Sequence, residues 1–293
     1  MPDVSLLMPV RNEAQHLDAC LASITGTPGL TLEVVLVDDH STDATLSIAR
    51  RVAAGRPDLS MTVLENTGRG KAAALNLAHR HARGTSFVLL AGDDLLVSDL
   101  LAARVAAVAE TAPAVAQCRY RSFSDDPRHH GILFPRRGRQ THLAGGATSF
   151  NRAFADLYFP IPEDLPNEDT WLRAVAMLFG ARFRFIDAIG LHYRIHAGNS
   201  TGPTLDFAQT SHGLGGRHRA FDLALRRFPQ AGTPAGRAGL EALVRAERHR
   251  AAGRWWRLVG MRGLPRADRG VFLMNATPWL FAFKHRVLPL LKG

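Results

Sequence analysis

Cysteine is almost missing from this chain: Cys20 and Cys118 are the only two in 293 residues. Two thiols in apolar surroundings exclude a disulfide framework and read as buried side chains in a reducing compartment. No G-x-G-x-x-G follows the first apolar run, which disfavours a dinucleotide-dependent dehydrogenase. No P-loop is present either, because Gly70-Lys71 is followed by Ala72, wrong in both spacing and hydroxyl. No convincing Ser-His-Asp or Cys-His arrangement is seen. The amino terminus, Met1-Pro2-Asp3, lacks a basic segment, and 4–10 is too short for an apolar leader, so no secretory signal is expected. No apolar run approaches the roughly 20 residues that span a bilayer. The stretch 271–283 has 13 residues and is broken by Asn275, Thr277 and Pro278. Acidic residues are scarce in the last third. From His212 to Gly293 there are 16 Lys/Arg against 4 Asp/Glu, a net of +12, whereas residues 1–211 sum to −2. Such asymmetry suggests an anionic surface, membrane or nucleic acid, as partner.

Hydrophobic residues make up 46% of the chain, enough for a sizeable core. Their order is informative. Val4 to Pro9, Glu33 to Val37, Met61 to Leu64 and Phe87 to Leu90 read as short strands. Between them, helical spacing recurs at Leu17–Ile24, from Ser41 or Thr42 as cap through Ala53, and from Lys71 to about Ala82. A further helix is expected over 98–110. Strands alternating with helices imply βαβ units and a parallel sheet. After Ala112 the alternation stops. A longer strand is expected over 115–123, a polar loop over 124–138, and a small, flexible segment over 144–150. A helix over 168–179 is expected with Asn167 as cap, then strand-like runs at 182–186 and 189–195.

The carboxylates cluster at strand ends. Asp38-Asp39 ends the second strand and Asp93-Asp94 a later one. In an open parallel sheet these ends share the ligand-binding edge. Such carboxylates suit a divalent cation, which in turn suits a diphosphate. Asp93 or Asp94 equally suits a helix N-cap. Lys71 opens a helix after a glycine-rich loop, where an ammonium and a helix N-terminus favour phosphate, or where a lysine is merely solvated. Asp125-Asp126 reads as a turn, Asp187 as a surface acid, and His129-His130 as a loop feature.

Six ordered segments then carry a resemblance. They are Ser5-Leu6-Leu7-Met8-Pro9-Val10-Arg11-Asn12-Glu13, Val34-Val35-Leu36-Val37-Asp38-Asp39-His40-Ser41-Thr42-Asp43, Gly70-Lys71-Ala72-Ala73-Ala74-Leu75-Asn76, Ala91-Gly92-Asp93-Asp94, Glu168-Asp169 and His196-Ala197-Gly198-Asn199-Ser200. Together they resemble family 2 of the inverting glycosyltransferases, an α/β GT-A fold with a Rossmann-like nucleotide-binding sheet. The resemblance covers roughly Val4 to Ser200. It implies that Pro9, Glu13 and Asp39, with Val10, Arg11 and Asp38 beside them, line the base and ribose pocket of a nucleoside-diphosphate sugar, a UDP-sugar being favoured. Lys71 would lie near the base or phosphates. Asp93, beside Asp94, would hold Mg²⁺ or Mn²⁺ against the diphosphate, and His196 would approach the same metal or diphosphate. Asp169 would be the general base and Glu168 its neighbour on the acceptor side. Ala91 departs from the pattern, which has Asp there.

The resemblance implies a metal-dependent inverting hexosyltransferase of cell-envelope, polysaccharide or glycolipid synthesis, acting on a glycan or lipid-linked acceptor. Residues 1–205 would form the catalytic domain. Residues 206–293 read as a basic, amphipathic helical region in which Trp255, Trp256 and neighbouring arginines suit the surface of an anionic membrane. A cytoplasmic protein, peripheral on the inner face of the membrane, is expected. Two other readings are a nucleic-acid-binding protein with a nucleotide-sensing α/β domain, and a nucleotidyltransferase releasing pyrophosphate. The first is disfavoured because the arginines interleave with apolar runs, and no nucleic acid is expected as partner.

Overall fold

The computed structural model describes residues 1–135, 143–196 and 206–287. The motif residues 197–200 lie outside this range. The chain divides into two units, Met1–Asp169 with Ala181–Asn199, and Thr170–Gly180 with Ser200–Gly293.

In the first unit the order is β1 (Val4–Val10), α1 (Leu17–Ser23), β2 (Leu32–Asp38), α2 (Thr45–Gly55), β3 (Ser60–Glu65), α3 (Lys71–His81) and β4 (Ser86–Leu89). There follow β5 (Leu95–Leu96), α4 (Leu101–Ala106), β6 (Ala114–Phe123), β7 (Leu133–Phe134), β8 (Thr148–Asn151), α5 (Arg152–Tyr158), the start of α6 (Glu168–Phe179) and β9 (Arg182–Arg194). The strands run β3-β2-β1-β4-β8-β6-β9-β5 in one sheet, with β7 beside β6. β3, β2, β1 and β4 are parallel, and β8 turns the sheet antiparallel against both β4 and β6. Every residue of β1 is buried, as a central parallel strand covered on both faces requires. Edge strand β3 instead has exposed residues at both ends. In register, Val10 lies opposite Asp38 and Leu7 opposite Leu89, so the carboxyl ends of β1, β2 and β4 reach one edge.

Local differences from the expected elements have physical causes. The segment before α2 is not capped by Ser41 or Thr42. Ser41 Oγ instead accepts from the Asn12 amide at 2.9 Å, Asn12 Oδ1 accepts from the Thr42 amide at 2.8 Å, and Asp43 Oδ1 accepts from the Thr45 amide. Ser41 and Thr42 thus tie the loop after β2 to Asn12 in the turn after β1, while Asp43 meets the first residue of α2. The expected helix over 98–110 is shorter, a 3₁₀ turn followed by α4. The two expected runs at 182–186 and 189–195 are one strand, β9, bulged opposite Cys118–Tyr120. Gly190 makes this possible, because a Cβ there would lie 2.5 Å from Cys118 Sγ. Asn167 Oδ1 is buried without a hydrogen-bond partner among the described residues, so the expected cap on α6 is absent. Both cysteines are free and buried, as expected.

The second unit continues α6 and adds α7 (Phe207–Arg227), α8 (Pro234–Ala251), α9 (Trp255–Val259), α10 (Arg266–Met274) and α11 (Pro278–Val287). Phe221, Ala224, Leu240, Leu243 and Phe272 are buried in it. Arg250 is also buried, donating to Glu247, to Ser211 and to the Asn275 carbonyl. No helix among the described residues is long and apolar enough to cross a membrane.

Candidate active site

The acids at the carboxyl edge of the sheet gather within the first unit. The turn after β1 positions its first member. Asn12 adopts a left-handed conformation, φ 54°. The Glu13 amide donates to Thr45 Oγ1 at 2.7 Å. Gly92 permits the close approach that follows, since a Cβ there would lie 2.9 Å from Val10 Cγ1 and 3.1 Å from Glu13 Cγ. Glu13 is thereby pressed against the segment bearing Asp93. Burial, followed by the Asp93 and Asp43 charges, pushes its carboxyl up to about 7, with Arg194 opposing. Pro9 and Val10 are buried beneath this turn, and Arg11 is exposed on it.

Asp38 and Asp39, both buried, serve different contacts. The Asp39 amide donates to the Val10 carbonyl, and its carboxylate accepts from the Gly70 amide at 3.0 Å and from Asn66 Nδ2 at 2.8 Å. Asp39 thus fixes the glycine loop just before α3. Asp38 Oδ2 accepts from the Ser41 amide, while its Oδ1 is buried without a partner among the described residues.

Asp93 and Asp94 are buried where β4 runs out and are met by the end of β9. The Arg194 amide donates to Asp94 Oδ1 at 2.9 Å, and Arg194 Nε donates to the Asp93 carbonyl at 2.9 Å. Burial and the adjacent Asp93 charge hold Asp94 well above the usual carboxylate range, against Arg194 and Lys71. His196 Nε2 lies 3.2 Å from Asp93 Oδ2, and the His16 ring stands 5.1 Å from the His196 ring. No three His, Cys, Asp or Glu side chains among the described residues form a ready-made cation cage. Nucleotide-enzyme cations commonly take one or two protein ligands and fill their shell with phosphate and water, so the Asp93–His196 pair is chemically suited to one. The raised carboxyls of Glu13 and Asp94 beside it mark a place where added positive charge is favoured.

A second group forms at the start of α6. Lys71 Nζ lies 2.5 Å from Glu168 Oε1; Glu168 is buried and the lysine side chain half-exposed. Partial burial works against the ammonium, but the Glu168, Asp169 and Asp93 carboxylates outweigh it and raise the lysine above its ordinary range. Lys71 therefore reaches the acidic pair at α6.

Between the two groups runs the Gly145–Gly146 turn. A Cβ on Gly145 would lie 3.1 Å from Asp169 Oδ1 and 3.3 Å from Glu168 Oε1, and one on Gly146 would lie 3.6 Å from Asp94 Oδ2. Asp94 and Asp169 thus flank a turn of two adjacent glycines. Arg104, fully buried, holds this turn from below by donating Nη2 to the Gly146 and Thr148 carbonyls at 3.0 and 2.9 Å. Tyr120 is another neighbour. Burial and the charges of Asp169, Tyr193 and Asp94 push its hydroxyl up to about 12.

Sequence reasoning picked out Glu13, Asp93, Asp94 and His196, which meet, and Lys71, Glu168 and Asp169, which meet beside them. It missed Arg194, Tyr120, His16 and Arg104. Only Arg194, two residues before His196, carried a usable signal. Of the remaining acids, Asp126 accepts from the Arg128 amide at the start of a 3₁₀ turn, and exposed Asp187 pairs with Arg119.

Similarity to known proteins agrees with this geometry. Succinoglycan biosynthesis protein ExoU of Rhizobium meliloti is 29% identical over 242 residues, 75% of this chain and 66% of that protein. The chain spans 31% to 66% of the length of ExoU and of three other curated relatives. Among solved structures, mannosyltransferase PcManGT from Pyrobaculum calidifontis, in complex with GDP-Man and Mn²⁺, superposes with a TM-score of 0.64 at 24% identity, covering 97% of this chain and 75% of that one. S. aureus TarS 1-349 with UDP-GlcNAc gives a TM-score of 0.61 at 19% identity, covering 96% and 83%. The fold is therefore GT-A. The profile of glycosyl transferase family 2 matches residues 5–159, more than half of the chain, which accordingly belongs to that family.

Proposed function

We propose that the protein transfers a glycosyl group from a nucleoside-diphosphate sugar to a hydroxyl of a glycan or lipid-linked acceptor, in a single inverting displacement aided by Mg²⁺ or Mn²⁺. One observation carries this reading. Asp94 and Asp169 flank the Gly145–Gly146 turn, where no Cβ fills the space between a diphosphate-side acid and an acceptor-side acid. A single displacement needs those two functions on opposite faces of the anomeric carbon, and no protein nucleophile.

Asp39 and the glycine loop it fixes are read as the nucleoside end of the donor pocket, with Pro9, Val10, Arg11, Glu13 and Asp38 around it. Asp93 and His196 would hold the cation, which supplies positive charge to the departing diphosphate. Asp169 takes the proton of the attacking hydroxyl as the new C–O bond forms and the bond to the β-phosphate oxygen breaks. Glu168, held by Lys71, orients that side. The name of ExoU supports polysaccharide synthesis as the setting. The structures with GDP-Man and UDP-GlcNAc support a nucleotide-sugar donor and put both bases among the candidates. Residues 1–205 are read as the catalytic domain, and 206–293 as a region that attaches the enzyme peripherally to the inner face of a membrane.

Asp169→Asn tests the base assignment. It is nearly isosteric and removes only the proton acceptor. With a panel of UDP- and GDP-sugars and Mn²⁺, nucleoside-diphosphate release should fall by about 10² to 10⁴ while nucleotide binding by calorimetry is retained. Transfer at the wild-type rate would remove Asp169 as the base.

A further inference from the structure

We infer that α9 and α11 together form a docking surface for an anionic phospholipid bilayer. The apolar part is an aromatic cluster. Trp255 is half-buried, with its ring 6.2 Å from Trp256 and 5.8 Å from Trp279, both edge-on. The outer members face solvent: Trp256 is 57% exposed, Trp279 56%, and Val259 and Phe283 51% each. Val259 lies one turn along α9 from Trp256, and Phe283 one turn along α11 from Trp279, so each pair shares a helix face. Large apolar side chains exposed side by side mark an interaction surface, not ordinary scatter. Tryptophan in particular suits the interface between headgroups and acyl chains.

The charge around this cluster selects the partner. All four acids from His212 onward are already engaged within the second unit. Asp222 pairs with Arg226 at 2.6 Å and Glu241 with Arg245 at 3.9 Å. Glu247 pairs with His218 at 2.7 Å and Arg250 at 2.6 Å, and Asp268 with Arg173 at 2.7 Å. Arg254, Arg257, Arg262 and Arg286 are exposed, sit in or next to α9 and α11, and have no ion-pair partner among the described residues. Internal pairing thus engages the acids of this region and leaves part of its positive surplus in and next to the tryptophan-bearing helices. Exposed aromatics with unpaired arginines in and next to the same helices match the two parts of an anionic membrane, an apolar boundary under a negatively charged surface. No helix among the described residues is long and apolar enough to cross a membrane, so attachment is to the surface. Partner and surface deepen the peripheral-attachment reading above and stand apart from the transfer chemistry.

Vesicle flotation of the full chain tests the surface. Wild type should float with phosphatidylcholine vesicles containing about a third phosphatidylglycerol, remain behind with pure phosphatidylcholine, and be released by salt. Trp256→Ser/Trp279→Ser should reduce partitioning about tenfold or more. Arg254→Gln/Arg257→Gln should reduce it about fivefold per arginine. All four positions are exposed, so melting and donor turnover in solution should stay at wild-type values. Failure of wild type to bind anionic vesicles, or wild-type binding by the tryptophan variant, would overturn the surface. So would salt-sensitive binding of an oligonucleotide without vesicle binding, or a dimer that shields the tryptophans from quencher. Vesicle binding without donor turnover would sink the transferase reading and leave the surface standing; the reverse result would do the opposite.

Discussion

Gly145→Ala is a one-methyl test of whether the glycine turn spaces the acceptor-side acids. Gly145 has no left-handed backbone requirement, so alanine is conformationally allowed there. The added methyl would sit 3.1 Å from Asp169 Oδ1, 3.3 Å from Glu168 Oε1 and 3.6 Å from Leu89 Cδ1. The first two contacts are too tight, and something must yield by a few tenths of an ångström. Glu168 is buried and held at 2.5 Å by Lys71, and Arg104 grips the turn at the Gly146 carbonyl. Asp169 is half-buried at the very start of α6, with its Oδ1 buried beside the turn, so its carboxylate takes part of the displacement. Stability barely changes. Restricting the unfolded chain contributes about 0.4–1 kcal/mol, and mild overpacking costs about 1 kcal/mol. Rate changes more. If an ångström of misplacement costs about a hundredfold, a shift of about 0.3–0.5 Å costs roughly four- to tenfold. Nucleoside-diphosphate release should therefore fall by that factor while the melting temperature and nucleotide affinity hold. Wild-type turnover would show that the turn does not set the position of Asp169. A loss of nucleotide affinity equal to the loss of rate would place the turn in the donor pocket instead.

Two further outcomes test the electrostatics. Glu33, buried at the opposite end of the sheet, accepts from Ser5 Oγ at 2.6 Å, the Arg83 amide at 2.5 Å and the Gly84 amide at 3.1 Å. Burial alone would raise its pKa, but the Ser5 and Arg83 hydrogen bonds win and hold it below the usual range. Glu33→Gln should therefore cost about 2–3 kcal/mol in urea unfolding at neutral pH, where charged bonds become neutral ones. A depressed carboxylate contributes above its unfolded pKa and loses that contribution as pH falls through the folded value, so the gap should narrow in acid. An equal gap at both pH values would refute the charge assignment. Glu13, observed by carbon-13 NMR in cation-free protein, should titrate near 7, and lower in Asp93→Asn. Its raised pKa stabilises the fold below its unfolded value, and that contribution is lost as pH rises through 7. A midpoint in the usual carboxylate range would refute the crowding of Glu13 by Asp93.

The parallel half of the sheet was legible because burial imposes a pattern. Continuous apolar runs such as Leu6–Pro9 and Val34–Val37, alternating with helical spacing, match strands buried on both faces, and acids immediately after them fall at the sheet edge. The acids at 168 and 169 were legible only as a motif, because their closeness to Asp94 runs through the Gly145–Gly146 turn, which lies far from Asp94 in sequence. Arg104 was invisible for a related reason. In the sequence it is one arginine in an alanine-rich helix, and its burial follows from β8 delivering the Gly146 and Thr148 carbonyls to it. The strand at 182–194 was misread as two because bulges interrupt period-two alternation, and Gly190 looks like punctuation until Cys118 is seen against it.

Ala91 gains a physical reading from the charges around it. The Ala91 carbonyl accepts from Cys20 Sγ at 3.4 Å, which keeps the backbone of the acidic segment in place whatever the side chain. Burial and then Asp94, Asp93 and Glu13 raise Cys20 well above the ordinary thiol range, so their negative potential extends beneath this carbonyl. Within that potential Glu13 already holds its proton up to about 7, and Asp94 is raised as well. A carboxylate at 91 would add like charge where two neighbours already resist ionising. Arg194, which reaches the Asp93 carbonyl through its guanidinium, is the local positive charge set against them. With alanine at 91 the segment needs less compensation, and on the proposed function the Asp93–His196 pair is where a cation would be held.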